Sequence, residues 1–174
     1  MTIHFGDSTS IATATGLGAN LINSDQTVET GWSGFSVGWG GTSSDAISLN
    51  YAASSSSNKL LIMCSITMGL DFGGRMFCNL FIGGSREDSI AANANSNVTR
   101  RTSGEHAGHD ASISNICFNY IKTSPSTSST TYSVRLGHGD NGTRNVYINR
   151  PHDRPDQSYI GNGTSSITIL ELAS

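Results

Sequence analysis

The stretch Lys59-Leu60-Leu61-Ile62-Met63-Cys64-Ser65-Ile66-Thr67-Met68 decides the fold. Leu60, Ile62, Cys64, Ile66 and Met68 recur at every second residue, which places them on one face of a β-strand. Leu61 and Met63 fall in the opposite phase, so the first half of the strand is apolar on both faces. Such a strand suits the centre of a sandwich, or a strand whose outer face meets a second subunit.

The same period recurs on either side. Trp32, Phe35, Val37 and Trp39 lie among small residues, and Ile47, Leu49 and Tyr51 alternate with polar neighbours. Further strands are predicted over residues 75–82, 112–121, 130–137, 145–149 and 165–172, with explicit alternation at Ile116, Phe118 and Tyr120, at Tyr132, Val134 and Leu136, at Val146 and Ile148, and at Ile167 and Ile169. Their separators are turn chemistry: Ser54 to Asn58, Gly83-Gly84, Ser124-Pro125-Ser126 and Asp140-Asn141-Gly142. About eight short antiparallel strands point to an all-β sandwich or jelly roll, ahead of a barrel.

Composition agrees. Ser, Thr, Asn and the 20 glycines disfavour helix, and only 13% of the 174 residues are charged, with lysine only at Lys59 and Lys122. One domain is expected at this length. The net charge of -3 gives no basic face for nucleic acid, and Arg100-Arg101 reads as a solvated loop pair. No apolar run is long enough to cross a membrane as a helix, and the first residues lack the pattern of a secretory signal, so a soluble chain outside that export route is expected. Cys64, Cys78 and Cys117 are odd in number and set in strand-like runs, which predicts free buried thiols.

Residues 1–30 are polar and irregular, broken by Gly16 and Gly18, and read as an arm preceding a head at 31–174. Two long polar stretches interrupt the head. Residues 85–110 hold Arg86, Glu87, Asp88, Arg100, Arg101, Glu105, His106, His109 and Asp110, and residues 150–163 hold His152, Asp153, Arg154 and Asp156. Long loops in a compact domain are where binding residues concentrate.

Enzyme chemistry finds little support. Ser103, His106 and Asp110 match a hydrolytic set by type alone, without a nucleophile-elbow motif. His106 and His109 are the only metal candidates, and two histidines without a converging third ligand make a weak one, so no metal or other cofactor is expected. The glycine pairs lack the Lys-Ser/Thr of a phosphate loop. Trp32, Phe35, Trp39 and Tyr51 have the ring types that stack on sugars, but packing in a core or subunit interface is the commoner use.

Four segments carry a resemblance: residues 3–11 (IHFGDSTSI), 56–62 (SSNKLLI), 145–150 (NVYINR) and 165–172 (SSITILEL). Together they resemble a family of small virion proteins of tailed phages that infect marine cyanobacteria and other marine bacteria. The resemblance implies a non-enzymatic, fibre-like structural protein with a trimeric β-sandwich head, and it supplies no catalytic residues. On this view the arm serves virion attachment, through Ile3, Phe5, Ile11 and Leu17, or trimer contact. The loop residues Arg86, Arg100, Arg101, Glu105, His106, His109, Asp110, His152 and Arg154 face a host-surface glycan or protein. The expected place is the exterior of a particle assembled in the host cytoplasm. A capsid decoration protein and a lectin-like sugar-binding module are the alternatives.

Overall fold

A computed structural model describes residues 3–4, 10–11, 21–71, 74–91, 101–107, 112–152 and 162–174. In chain order the strands are β1 (Ile3–His4), β2 (Ser10–Ile11), β3 (Leu21–Glu29), β4 (Ser33–Gly38), β5 (Ile47–Tyr51), β6 (Lys59–Leu70), β7 (Gly74–Ile82), β8 (Ser85–Arg86), β9 (Ser103–Ala107), β10 (Ile113–Thr123), β11 (Thr130–His138), β12 (Thr143–Ile148) and β13 (Ser165–Leu172). No helix occurs among the described residues. Apart from the small β1–β2 pair, the strands form a six-stranded and a five-stranded antiparallel sheet, so the protein is an all-β sandwich.

Both sheets are built around one long strand with a forked edge. β10 pairs β6 along Lys59 to Gly69, while the opposite edge of β6 is shared by β13 over Lys59 to Ser65 and β12 over Met68 to Leu70. In the smaller sheet β11 lines one edge of β7, and β8 and β9 share the other. β3 adds to β13, β4 to β12 and β5 to β11.

The alternating residues meet between the sheets. Leu60, Ile62, Ile66, Met68 and Leu70 of β6 join Ile167 and Ile169 of β13 and Val146 and Ile148 of β12, opposite Leu49, Leu80, Tyr132, Val134 and Leu136 from the smaller sheet. Each aliphatic side chain in this layer contributes about 1.5–3 kcal/mol of transfer free energy.

Three expectations are corrected. Residues 21–29, read as the end of the arm, are a sheet strand whose ladder to β13 runs from Leu21↔Leu172 to Glu29↔Ser165. They lack a two-residue apolar pattern because β3 is an exposed edge strand, and the ladder alone makes them a strand. Of the arm residues, Ile3 and Ile11 are partners in the β1–β2 pair, while Phe5 and Leu17 lie outside the described residues. The stretch 85–110 contains β8 and β9, both drawn onto the edge of β7. Finally, Cys64 and Cys78 are buried but Cys117, in the outward phase of β10, is exposed. Burial pushes both core thiols up, Cys78 to about 12, which keeps them protonated and unreactive.

Candidate functional site

The loop residues nominated from sequence do not converge. Arg86 pairs with Phe81 at one end of β7, and Glu105 and His106 stand opposite Met76 and Arg75 toward the other. Six residues of strand, about 20 Å, separate the two positions. Arg101 lies beside the loop that follows β11, where Arg75 and Asp140 act on its charge, and His152 follows β12 of the other sheet, beside Tyr147. Arg100, His109, Asp110 and Arg154 lie outside the described residues. Among the described residues no three His, Cys, Asp or Glu side chains come together as a metal would require.

Most described charges act on the protein itself. Arg86 Nε donates to Asp88 Oδ1 at 2.6 Å. Glu87 accepts from Lys122 Nζ and from the backbone and hydroxyl of Ser89, fastening the chain after β8 to β10. Burial raises the Glu87 carboxyl, and these donors outweigh it and leave it below its usual range.

Glu171 is a clamp of the same kind, fully enclosed at 0% exposure. Its Oε1 accepts from the Ser54 backbone (2.8 Å), the Ser54 hydroxyl (2.6 Å) and Asn58 Nδ2 (2.6 Å), and its Oε2 accepts from the Tyr51 hydroxyl at 2.8 Å. Burial alone raises this carboxyl, yet the donors outweigh it and hold it at about 2. The turn between β5 and β6 is thereby tied to the last strand.

Asn149 does the same at the opposite end of the sheet. Its φ of 63° is left-handed, a conformation that asparagine tolerates. There Nδ2 donates to the carbonyls of Glu29 (2.7 Å) and Gly31 (2.8 Å), while Oδ1 accepts from Ser165 Oγ at 2.7 Å.

Arginines cover the aromatic rings that stand on the outer faces. Arg101 lies over Phe77 at 4.5 Å, Arg135 over Phe81 at 4.0 Å, and Arg150 between Tyr147 at 4.4 Å and Trp32 at 4.1 Å. Glycines make room for two of these rings. A Cβ at Gly137 would stand 2.4 Å from Phe77, and one at Gly34 would stand 2.7 Å from Tyr147. The Nε atoms of Arg101 and Arg150 are buried without a hydrogen-bond partner among the described residues, so ring contact outweighs hydrogen bonding there. The sequence reading missed this arrangement, giving residues 145–149 only as a strand. The one available signal was glycine inside strand patterns, which marks close approach by a neighbour.

No family model and no curated protein sequence matches the chain. Among solved structures, a chain of "Structure of infectious bursal disease virus Gx strain" is similar over 87% of this chain and 42% of its own length, with 12% identity and a TM-score of 0.38. This chain therefore spans less than half of that neighbour, and a likeness of this strength transfers neither fold nor function.

Proposed function

We propose that this chain is a structural protein of a bacteriophage virion, displayed as a homotrimer on a tail appendage and used in host attachment. The phage assignment rests on the four sequence segments that resemble the marine-phage family. The observation that carries a structural role is how the chain uses its charges. Glu87, Glu171, Arg101, Arg135 and Arg150 hold loops and cover rings, which suits a rigid building block. Attachment to the host falls to the loops along β7, where weak contacts add through several copies.

The test is a cryo-electron microscopy reconstruction of the particle that carries this protein. Density on a tail appendage supports the reading, density on the icosahedral shell makes it a decoration protein, and absence from the particle overturns both. A sugar-binding role is the second reading, favoured by Trp32 at 55% and Trp39 at 66% exposure. A glycan array with the Trp32→Ala/Trp39→Ala double variant as control tests it, and equal signals from both proteins sink it.

A further inference from the structure

The outer face of the larger sheet divides into two halves. At the β12–β4 half the chain covers itself, with Tyr147 beneath Arg150 and the backbone of Arg150 and Pro151 packed against Gly69. The half formed by β10, β6, β13 and β3 has no such cover among the described residues. Its strand register aligns the outward side chains in rows: Ile121, Leu61, Leu170 and Ser24 in one, Asn119, Met63, Thr168 and Gln26 beside it, and Thr123, Lys59 and Leu172 beyond, where a bulge in the β13–β3 ladder sets Leu21 opposite Leu172. Ile121 is 56% exposed and Leu21 53%.

β13 makes the point within three residues. Leu170 and Leu172 face outward, whereas the charged Glu171 between them is enclosed by Tyr51, Ser54 and Asn58. Usual patterning is inverted there, and Ile167 and Ile169 stay inward, so no slip of register explains it. The inward glutamate has its clamp, and the half-buried outward leucines have none among the described residues.

We propose that this half-sheet is an interface between copies of this chain. It rests on the face alone and not on the virion reading or its trimer, because a face that meets its own copy makes a two-fold pair. Two properties favour a second copy as the occupant. Lys59, at the rim, is the only charged residue in these three rows and in the next, Cys117, Ser65, Ser166 and Val28, so like charge does little to repel a copy presenting the same surface. Four strands about 4.8 Å apart and four rows about 6.8 Å apart give roughly 500 Å² per chain. Two such faces bury about 1,000 Å², the lower bound for a specific contact.

The test is solution mass by light scattering, read on the full chain and on Ile121→Glu, with Trp39→Glu as an exposed control remote from the face. The full chain and the control should show a whole-number multiple of 18.3 kDa, and Ile121→Glu should fall to one copy while keeping its circular dichroism and melting temperature. A second reading needs no substitution. Cys117 is the exposed thiol and lies on this face, so its labelling by a thiol reagent should accelerate at least tenfold as the protein is diluted from about 100 µM to the nanomolar range. A single-copy mass for the full chain at 100 µM overturns the proposal, as does an unchanged mass in Ile121→Glu together with labelling indifferent to dilution. Neither outcome touches the virion reading, which the particle reconstruction decides.

Discussion

Tyr147, outward-facing at the β12–β4 end of the larger sheet, is 7% exposed, while Ile121, outward-facing on β10, is 56% exposed. The difference lies in what the chain lays over each. Tyr147 sits against Gly34 and under Arg150, and the smaller sheet repeats the device with Phe77 under Arg101 and Phe81 under Arg135. A guanidinium over a ring keeps its charge in water while its stem and face exclude water from the aromatic. Ile121, Leu61 and Leu170 offer no ring for an arginine to cover. An outward aromatic with its own arginine is therefore finished within one chain, whereas an outward aliphatic row is finished only by something else.

The largest effect should come from crossing the sheet. Ile167 is fully buried, one face removed from the outward Leu170, and Ile167→Asp would enclose a charge with no partner. A loss of about 4 kcal/mol or more is expected, enough to abolish cooperative melting followed by circular dichroism. A melting temperature like that of the unsubstituted chain would mean that the inward and outward phases have been confused and that the comparison fails.

Acid should act next, through Glu171. Its folded carboxyl stands at about 2, below the value near 4.3 of an unfolded chain. A depressed carboxyl contributes stability that is fully present above the unfolded value and is lost as pH falls toward the folded one. Between about pH 5 and pH 2 the clamp should lose on the order of 3 kcal/mol. Urea midpoints across that range should fall steeply for the unsubstituted chain and more gently for Glu171→Gln; equal slopes would remove Glu171 as the cause.

Which of these features the sequence displays depends on whether a residue's environment is local. β5, β6 and β11 show themselves because one face is buried, and burial of one face writes a period of two into the residues. β6 even shows its two-sided apolar half, since Leu61 and Met63 stand out of phase with the core. β3 shows nothing of the kind: Leu21 to Glu29 lies along the sheet edge, largely exposed, and becomes a strand through a partner about 140 residues away. β9 is hidden for the same reason, being held by β7. The arginine covers escape altogether, because Arg101 and Phe77, or Arg150 and Trp32, are brought together only by the fold, and residue types alone do not name the pairs.

Removing a cover should cost less than crossing the sheet or protonating the clamp. Arg135 lies 4.0 Å from the Phe81 ring centroid and donates to Asp45 at 2.7 Å, partly in solvent. Arg135→Ala should lower the unfolding free energy by about 1–2 kcal/mol, read from the urea midpoint at constant slope. Arg135→Lys keeps the charge but loses the planar fork, so it should recover only part of that loss. Full recovery by lysine would show that the ion pair, and not the cover over Phe81, matters.

The smallest effect on the single chain should be at Ile121, and its dependence on concentration is what separates the two patches. Ile121→Thr keeps β-branching on an exposed strand position, so at nanomolar protein its urea midpoint should match the unsubstituted chain within about 0.5 kcal/mol. At high protein concentration the unsubstituted chain gains stability by mass action as copies cover the face, and the threonine variant gains less. Arg135→Ala should shift both ends of that concentration series equally, because its ring is covered within one chain. If the Ile121→Thr deficit is the same at nanomolar and at micromolar protein, the β10–β13 half is finished by its own chain as well, and the distinction between the two halves disappears.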